Sequence, residues 1–314
     1  MPRPPRLLPR RAGTPAVRLG YNPVMEKMPL LVRLSALYPQ AKKTTLRDMV
    51  RAKRVRINGT VVKSLKQEVT EEDRVEVADF ADVVQNHVAL AEGLRLVYFD
   101  ADIAIVDKPA GLLTSTDERE MRPTVWRILR TYFSSQNQKN QVFLIHRIDR
   151  DASGLLVFGR SRDAYVSLKK QFFEHTINRQ YGVVVHGIPQ QPTARLEHLL
   201  LEDPHTGVVR VTRDAKTGKP AALDYEVVAS DAKRKLSLLR CTLFTGRKHQ
   251  IRVQLKVAGH AVCGDPIYGK ADEPPGRLAL HAMHLAFVHP RSKKKMAFES
   301  PMPLSFGHLA ESGK

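Results

Sequence analysis

Only two cysteines, Cys241 and Cys263, occur in 314 residues. Two thiols so far apart make neither a disulfide framework nor a zinc knuckle, and they fit a reducing compartment. The chain also lacks a run of eighteen apolar residues and a signal-peptide core before a small-residue cleavage site, so neither a membrane-spanning helix nor export is expected. Negative charge is scarce as well. Lysine and arginine number 51 against 32 aspartates and glutamates, a formal charge of +19. That bias favours a polyanionic partner over a small neutral substrate.

The length suggests two domains, one of them small. Residues 1–24 hold five arginines, six prolines and no acidic residue, and so many prolines prevent a continuous helix. The expectation is a disordered basic arm. An arginine-rich start also admits a mitochondrial transit peptide as the alternative, though it has no serine and its prolines spoil amphipathicity.

Residues 25–84 read as the small domain. Leu30, Leu31, Leu34 and Leu37 recur at helical spacing, and Leu46, Met49 and Val50 mark a second helix. That helix carries Arg47 and Arg51, with Lys53 and Arg54 close behind, and runs into a strand over Val55 to Ile57 and a hairpin turn at Asn58-Gly59. The segment KRVRINGTVV, with the threonine-led helix before it, resembles the alpha-L RNA-binding domain named for the fourth small-subunit ribosomal protein. The resemblance implies that Arg47, Arg51, Lys53 and Arg54 contact structured RNA; otherwise they form an ordinary solvated face.

Residues 78–93 lack a strand period and read as a link between the two domains, the large one counted from residue 85 to 314. Two strands follow around an acidic turn and stop at Lys108, Pro109 and Gly111. After the polar stretch 134–141, a strand is expected at Leu155 to Phe158, a helix from Asp163 to His175, and a strand in TINRQYGVVVHG. LDYEVVA and LSLLRCTLFT form a hairpin, KHQIRVQLKVAGH is a helix ending at Gly259, and LALHAMHLAFVHP is the last strand. Strands outnumber helices and no long βα alternation occurs, so the fold class is α+β with a mixed, mainly antiparallel sheet.

Five segments in order, VYFDADIAIVDKPAGLL, HRIDRDASGLLVFGRS, NRQYGVVVHG, TGRKHQIRVQLKVAGHAVCGDPIYG and LALHAMHLAFVHP, resemble the RluA-type pseudouridine synthases. The resemblance spans about Leu94 to Pro303. It implies that Asp149 is the catalytic residue, that Tyr181 packs against the target base, and that Arg252 pairs with the aspartate. Ile148, Lys248 and Gln254 depart from the family pattern, outside that set.

The chemistry gives those residues independent reasons. Turning uridine into pseudouridine breaks the ribose bond to a ring nitrogen, rotates the uracil and rejoins it through a ring carbon, with no net redox change, so no cofactor is expected. A carboxylate can attack as a nucleophile or take the proton that leaves a glycal, and can later remove the proton from the ring carbon. An arginine in bidentate contact would keep Asp149 ionised and oriented, the role assigned to Arg252. Arg147 is placed to fill the space a flipped-out base vacates, and a tyrosine face at Tyr181 can retain the detached ring.

These residues also admit plainer readings. Asp149 and Arg147 as a structural ion pair is the ordinary fate of such charges. Asp151 suits a turn better than the second acid of a glycosidase. His281, His284 and His289 read as structural in the absence of a carboxylate at ligand spacing, as do His260 and Cys263, so no metal is expected. His146 and His249 read as loop-orienting hydrogen bonders. The expected partner is RNA, ribosomal ahead of transfer RNA, with no membrane, for a monomer in the cytoplasm. A non-catalytic RNA-binding assembly factor is the competing function.

Overall fold

A computed structural model describes residues 27–41, 43–51, 55–62, 64–77, 88–116, 122–135, 141–271 and 274–306. The basic arm expected at residues 1–24 lies outside these, as do Lys53 and Arg54.

The N-terminal unit comprises β1 (Met28–Pro29), α1 (Leu30–Leu37), α2 (Lys43–Arg51), β2 (Val55–Ile57), β3 (Thr60–Val61), β4 (Glu68–Val69) and β5 (Val75–Val77). Strands β3-β2-β5 make one sheet and β1-β4 a second pair. The expected turn is present: Asn58 and Gly59 both have positive φ, 50° and 82°, which a two-residue hairpin of the primed type requires. Leu30, Leu34, Leu46 and Val50 are buried against Val55, Ile57, Val62 and Val69. Leu37, counted on that apolar stripe, is instead 44% exposed at the end of α1.

The larger unit is one twelve-stranded sheet. Its elements are β6 (Val88–Ala89), β7 (Arg95–Phe99), β8 (Ile103–Lys108), α3 (Val125–Ser135), β9 (Phe143–Leu144), β10 (Ser153–Gly159), α4 (Arg162–Phe173), β11 (Asn178–His186), β12 (Thr193–Glu202), β13 (Val209–Thr212), β14 (Lys219–Asp231), β15 (Leu236–Leu243), α5 (Gln250–Val257), β16 (Leu280–Val288) and β17 (Lys295–Glu299). The strand order is β13-β12-β14-β15-β11-β16-β10-β8-β7-β6, with β17 added on β16 and β9 on β10. Every ladder in it is antiparallel except β10 with β16, where Ser153 lies opposite His281 and Gly154 opposite Ala282. Gly154 has φ +109°, and a Cβ there would sit 2.3 Å from the Ala282 carbonyl oxygen, so only glycine allows the close approach of these two strands.

Alternation along the central strands sets the two faces. Leu156 and Phe158 of β10 join the cluster that includes Leu129 and Phe133 of α3, whereas Leu155 and Val157 join Ala164 and Leu168 of α4. Helix α4 starts where expected because the Ser161 hydroxyl caps it, accepting from the Ala164 amide at 3.1 Å.

Four sequence-based expectations need correction. Val88–Ala89, assigned to the linker, pairs with β7 as an edge strand of the large sheet. Helix α3, unanticipated, places Val125, Leu129 and Phe133 on one buried face. Strands β12 and β13 occupy a stretch in which none was expected. A further strand, β17, follows the one read as last and pairs with it because Met296 and Phe298 alternate inward.

Candidate active site

The segment from Ile145 to Ala152 is a loop leading into β10, and its backbone is fixed at several points. The Thr114 hydroxyl donates to the Ile148 carbonyl at 3.0 Å. The Val157 amide donates to His146 Nε2 at 3.1 Å, so His146 does orient the loop. Burial drives the His146 pKa down to about 3, with Arg179 and Lys169 adding to the effect, and the ring is therefore a neutral acceptor. The strongest clamp is Lys108. Its Nζ donates to the carbonyls of Pro109, Leu112 and Arg150 at 2.8, 2.7 and 2.8 Å, and the Gly111 amide also donates to the Arg150 carbonyl, at 2.9 Å. The side chain has no exposed surface, and burial lowers its pKa from 10.5 to about 7 although Asp151 and Asp149 oppose the fall.

This clamped loop delivers Asp149 to a cleft of about 1020 Å³. Arg147, Ile148, Tyr181, Leu280, His249 and Arg252 line it with Asp149. The aspartate side chain is 23% exposed, open to the cleft, while Arg252 behind it is 5% exposed. Arg252 Nη1 donates to Asp149 Oδ2 at 2.9 Å. The structure thus brings together the pair inferred from sequence, with one difference. The bidentate contact goes to Asp265: Nε and Nη2 each donate to its carboxylate at 2.7 Å, leaving a single bond for Asp149.

Asp265, missed in the sequence, anchors the arrangement. It is fully buried, and its Oδ1 also accepts from the Ile267 and Tyr268 amides at 2.9 and 3.0 Å. Burial opposes its charge, but the Arg252 bonds overcome that and hold its pKa below the usual aspartate value. A buried arginine between two carboxylates is tolerable because both its charge and its N–H groups are matched. Tyr268 completes the support: the Arg252 guanidinium sits 5.1 Å from its ring, and its hydroxyl meets His249 Nδ1 at 3.0 Å. His249 thus has the loop-orienting contact expected of it.

Tyr181 is 6% exposed, in β11. Burial raises its phenol pKa against the pull of Arg179, so the ring faces the cleft as a neutral, largely apolar wall. Arg147 is exposed at the cleft. Arg179, Arg247, Lys169 and Lys170 add positive charge to the same cleft. In the small domain Arg47 is exposed on α2, and Arg51 ends that helix.

A carboxylate that the sequence spacing did not reveal lies beside one of the three C-terminal histidines. His289 does meet a carboxylate: its Nε2 is 2.9 Å from Asp100 Oδ2, and with Asp102 these form a compact trio. The oxygens are already engaged, however. Asp100 accepts from the Tyr98 hydroxyl and the Asp102 and Ile103 amides, and Arg291 makes two bonds to Asp102 at 2.6 and 2.9 Å. The trio is a hydrogen-bonded corner at the β7–β8 turn. Within the loop, Arg150 Nε and Nη2 donate to the Asp151 carboxylate at 2.9 and 3.2 Å.

Known proteins resemble this chain along most of its length. A family model described as RNA pseudouridylate synthase matches residues 102–256, and a model of the S4 domain matches residues 28–75. Ribosomal large subunit pseudouridine synthase D of Nitrosomonas europaea is 32% identical over 293 residues, covering 89% of this chain and 82% of that protein. An uncharacterized RNA pseudouridine synthase of Bacillus subtilis, YhcT, is 29% identical over 87% of this chain and 89% of its own length. Among solved structures, human RNA Pseudouridylate Synthase Domain Containing 1 has the same fold, with a TM-score of 0.57 at 24% identity, covering 70% of this chain and 87% of that one.

Proposed function

The chain belongs to the RNA pseudouridylate synthase family, and from that premise we propose that it isomerises specific uridines of structured ribosomal RNA with Asp149 as the catalytic group. What carries this reading is one carboxylate: Asp149, open to a basic cleft, held from behind by Arg252 and facing the ring of Tyr181. In the reaction the N1–C1′ bond breaks, C5 of the rotated uracil joins C1′, C5 loses its proton and N1 gains one. Asp149 acts as nucleophile at C1′, its ester bond breaking when C5 attacks, or as base at C2′, returning that proton as the C5–C1′ bond forms; in either case the freed carboxylate then accepts the C5 proton. Arg252 aims the carboxylate and balances its charge. Tyr181 retains the free uracil, and Arg147 takes the place of the flipped nucleotide.

The chain's own groups suffice for this isomerisation, with no cofactor or metal in the scheme. The S4 domain within residues 25–84 docks on folded RNA through the basic face of α2, with residues 85–314 carrying the chemistry. Ribosomal RNA is favoured over transfer RNA because the Nitrosomonas relative is a ribosomal large subunit pseudouridine synthase. The enzyme acts as a monomer in the cytoplasm, where the buried thiols Cys241 and Cys263 remain reduced.

Mapping pseudouridines in ribosomal and transfer RNA with and without the gene identifies the target. Restoring the gene as Asp149→Asn, which keeps the shape but not the basicity, should leave RNA binding intact and the uridine unmodified. Full modification by this variant would exclude the mechanism and favour a non-catalytic assembly role.

A further inference from the structure

Two phenylalanines end helix α4, and they have opposite fates. Phe172 is packed: the His146 ring stacks on it at 4.6 Å and 29°, and the Arg179 guanidinium lies 5.1 Å from its centre. Phe173 is 84% exposed, and no ring or cation contact to it occurs among the described residues. A lone exposed apolar side chain is ordinary on a protein surface. This one, however, lines the same cleft as Asp149, and so do the neighbouring Lys169 and Lys170.

We propose that Phe173 is a stacking platform for an unpaired base next to the target uridine, making it a substrate-positioning contact of the cleft. The proposal rests on the assignment of the chemistry to Asp149. An aromatic ring open to solvent beside cationic side chains matches the two needs of a single strand, a surface for the base and charge for the phosphate. Lys169 and Lys170 supply the charge one turn before the ring, and Arg147 and Arg247 continue it along the cleft. A protein helix is a poor match for this face. The nearest exposed apolar neighbour on α4 is Val166, two turns away, and the two lysines interrupt the stripe. Stacking also explains why an exposed ring is useful at a helix end: the pocketed uridine has been pulled from its stack, and the adjacent base loses a neighbour at the same moment.

The probe is an RNA hairpin centred on the uridine whose modification disappears without the gene, together with versions abasic at each adjacent nucleotide. Phe173→Ala and Phe173→Leu should each raise KM and Kd about tenfold with kcat unchanged, equivalent to about 1.4 kcal/mol of lost stacking. Phe173→Trp should restore both constants, since only the aromatic face matters. One abasic position should weaken binding to the wild type by a similar factor and leave Phe173→Ala unaffected. Unchanged constants for Phe173→Ala, a leucine variant as good as wild type, or an abasic effect that multiplies with the alanine effect would overturn the proposal. The parent reading is tested apart from it. Turnover by Asp149→Asn would refute the catalytic assignment, while the Kd series measured in that background still reports the Phe173 contact.

Discussion

Replacing Lys108 with methionine separates two opposing effects that meet at one nitrogen. In the folded chain the ammonium is wholly buried, and its pKa falls from 10.5 to about 7. At about 1.4 kcal/mol per pH unit, keeping that charge inside costs roughly 5 kcal/mol below pH 7. The sign follows from proton counting. Between pH 7 and 10.5 the unfolded lysine holds its proton and the folded one does not, so the wild type gains stability as pH rises through that window. Methionine has similar length and no charge, and it should abolish this gain. It also removes a donor that serves three carbonyls as an ammonium and two of them as the neutral amine above about pH 7. The Arg150 carbonyl keeps the Gly111 amide, so those of Pro109 and Leu112 are orphaned, at about 1–3 kcal/mol each. The two changes nearly cancel at pH 6.5, and the wild type should lead increasingly toward pH 10.5, the difference growing by roughly 5 kcal/mol. Urea unfolding of both proteins across this range gives the difference directly. A gap that stays constant with pH would refute the account of a desolvated ammonium. Because the lost bonds secure the residue after Asp149, kcat should fall in the variant at every pH, and an unchanged kcat would show that the loop does not depend on Lys108.

Arg252→Lys should lower single-turnover pseudouridine formation about 100-fold without changing RNA affinity, because one ammonium cannot span both Asp265 and Asp149, and Arg252→Met should be slower still. Asp265→Asn should also slow the reaction and lower thermal stability, by about 3–5 kcal/mol for a broken buried pair; wild-type rates in it would mean that Arg252 needs no anchor. The His146 imidazole should stay neutral to about pH 4 by NMR, given its pKa near 3. His146→Gln, which keeps an acceptor for the Val157 amide, should melt close to wild type, whereas His146→Phe should lose about 1–3 kcal/mol; equal melting would show the bond to be dispensable.

Much of the site was legible because its members sit in short motifs with their own chemistry. Asp149 and Arg252 stand 103 residues apart, and it is the family resemblance of their two segments that names them together. Asp265 carries no such mark. In CGDPIYG it reads as a turn aspartate, and only the fold brings its carboxylate beneath Arg252. Lys108 was read as the end of a strand, and its role depends on a carbonyl 42 residues away. Similar reasons hid parts of the fold. β12 runs Thr-Ala-Arg-Leu-Glu-His, where charges on the open face dilute the strand pattern, while α3 has a tryptophan and tyrosine among residues of modest helix preference.

The parallel ladder between β10 and β16 has a consequence in time. Ser153 and His281 are 128 residues apart in sequence, and the Ser153 hydroxyl also binds His281 Nδ1 at 2.8 Å and Arg277 Nη2 at 2.7 Å. Closing so long a loop is slow, and synthesis supplies the two strands many seconds apart at about 5–20 residues per second. The N-terminal unit, built from contacts within residues 28–77, can fold on the ribosome long before. The small unit can therefore be complete while the strand carrying His281 is still unmade, and the cleft around Asp149 lacks the wall that Leu280 supplies until that strand pairs with β10.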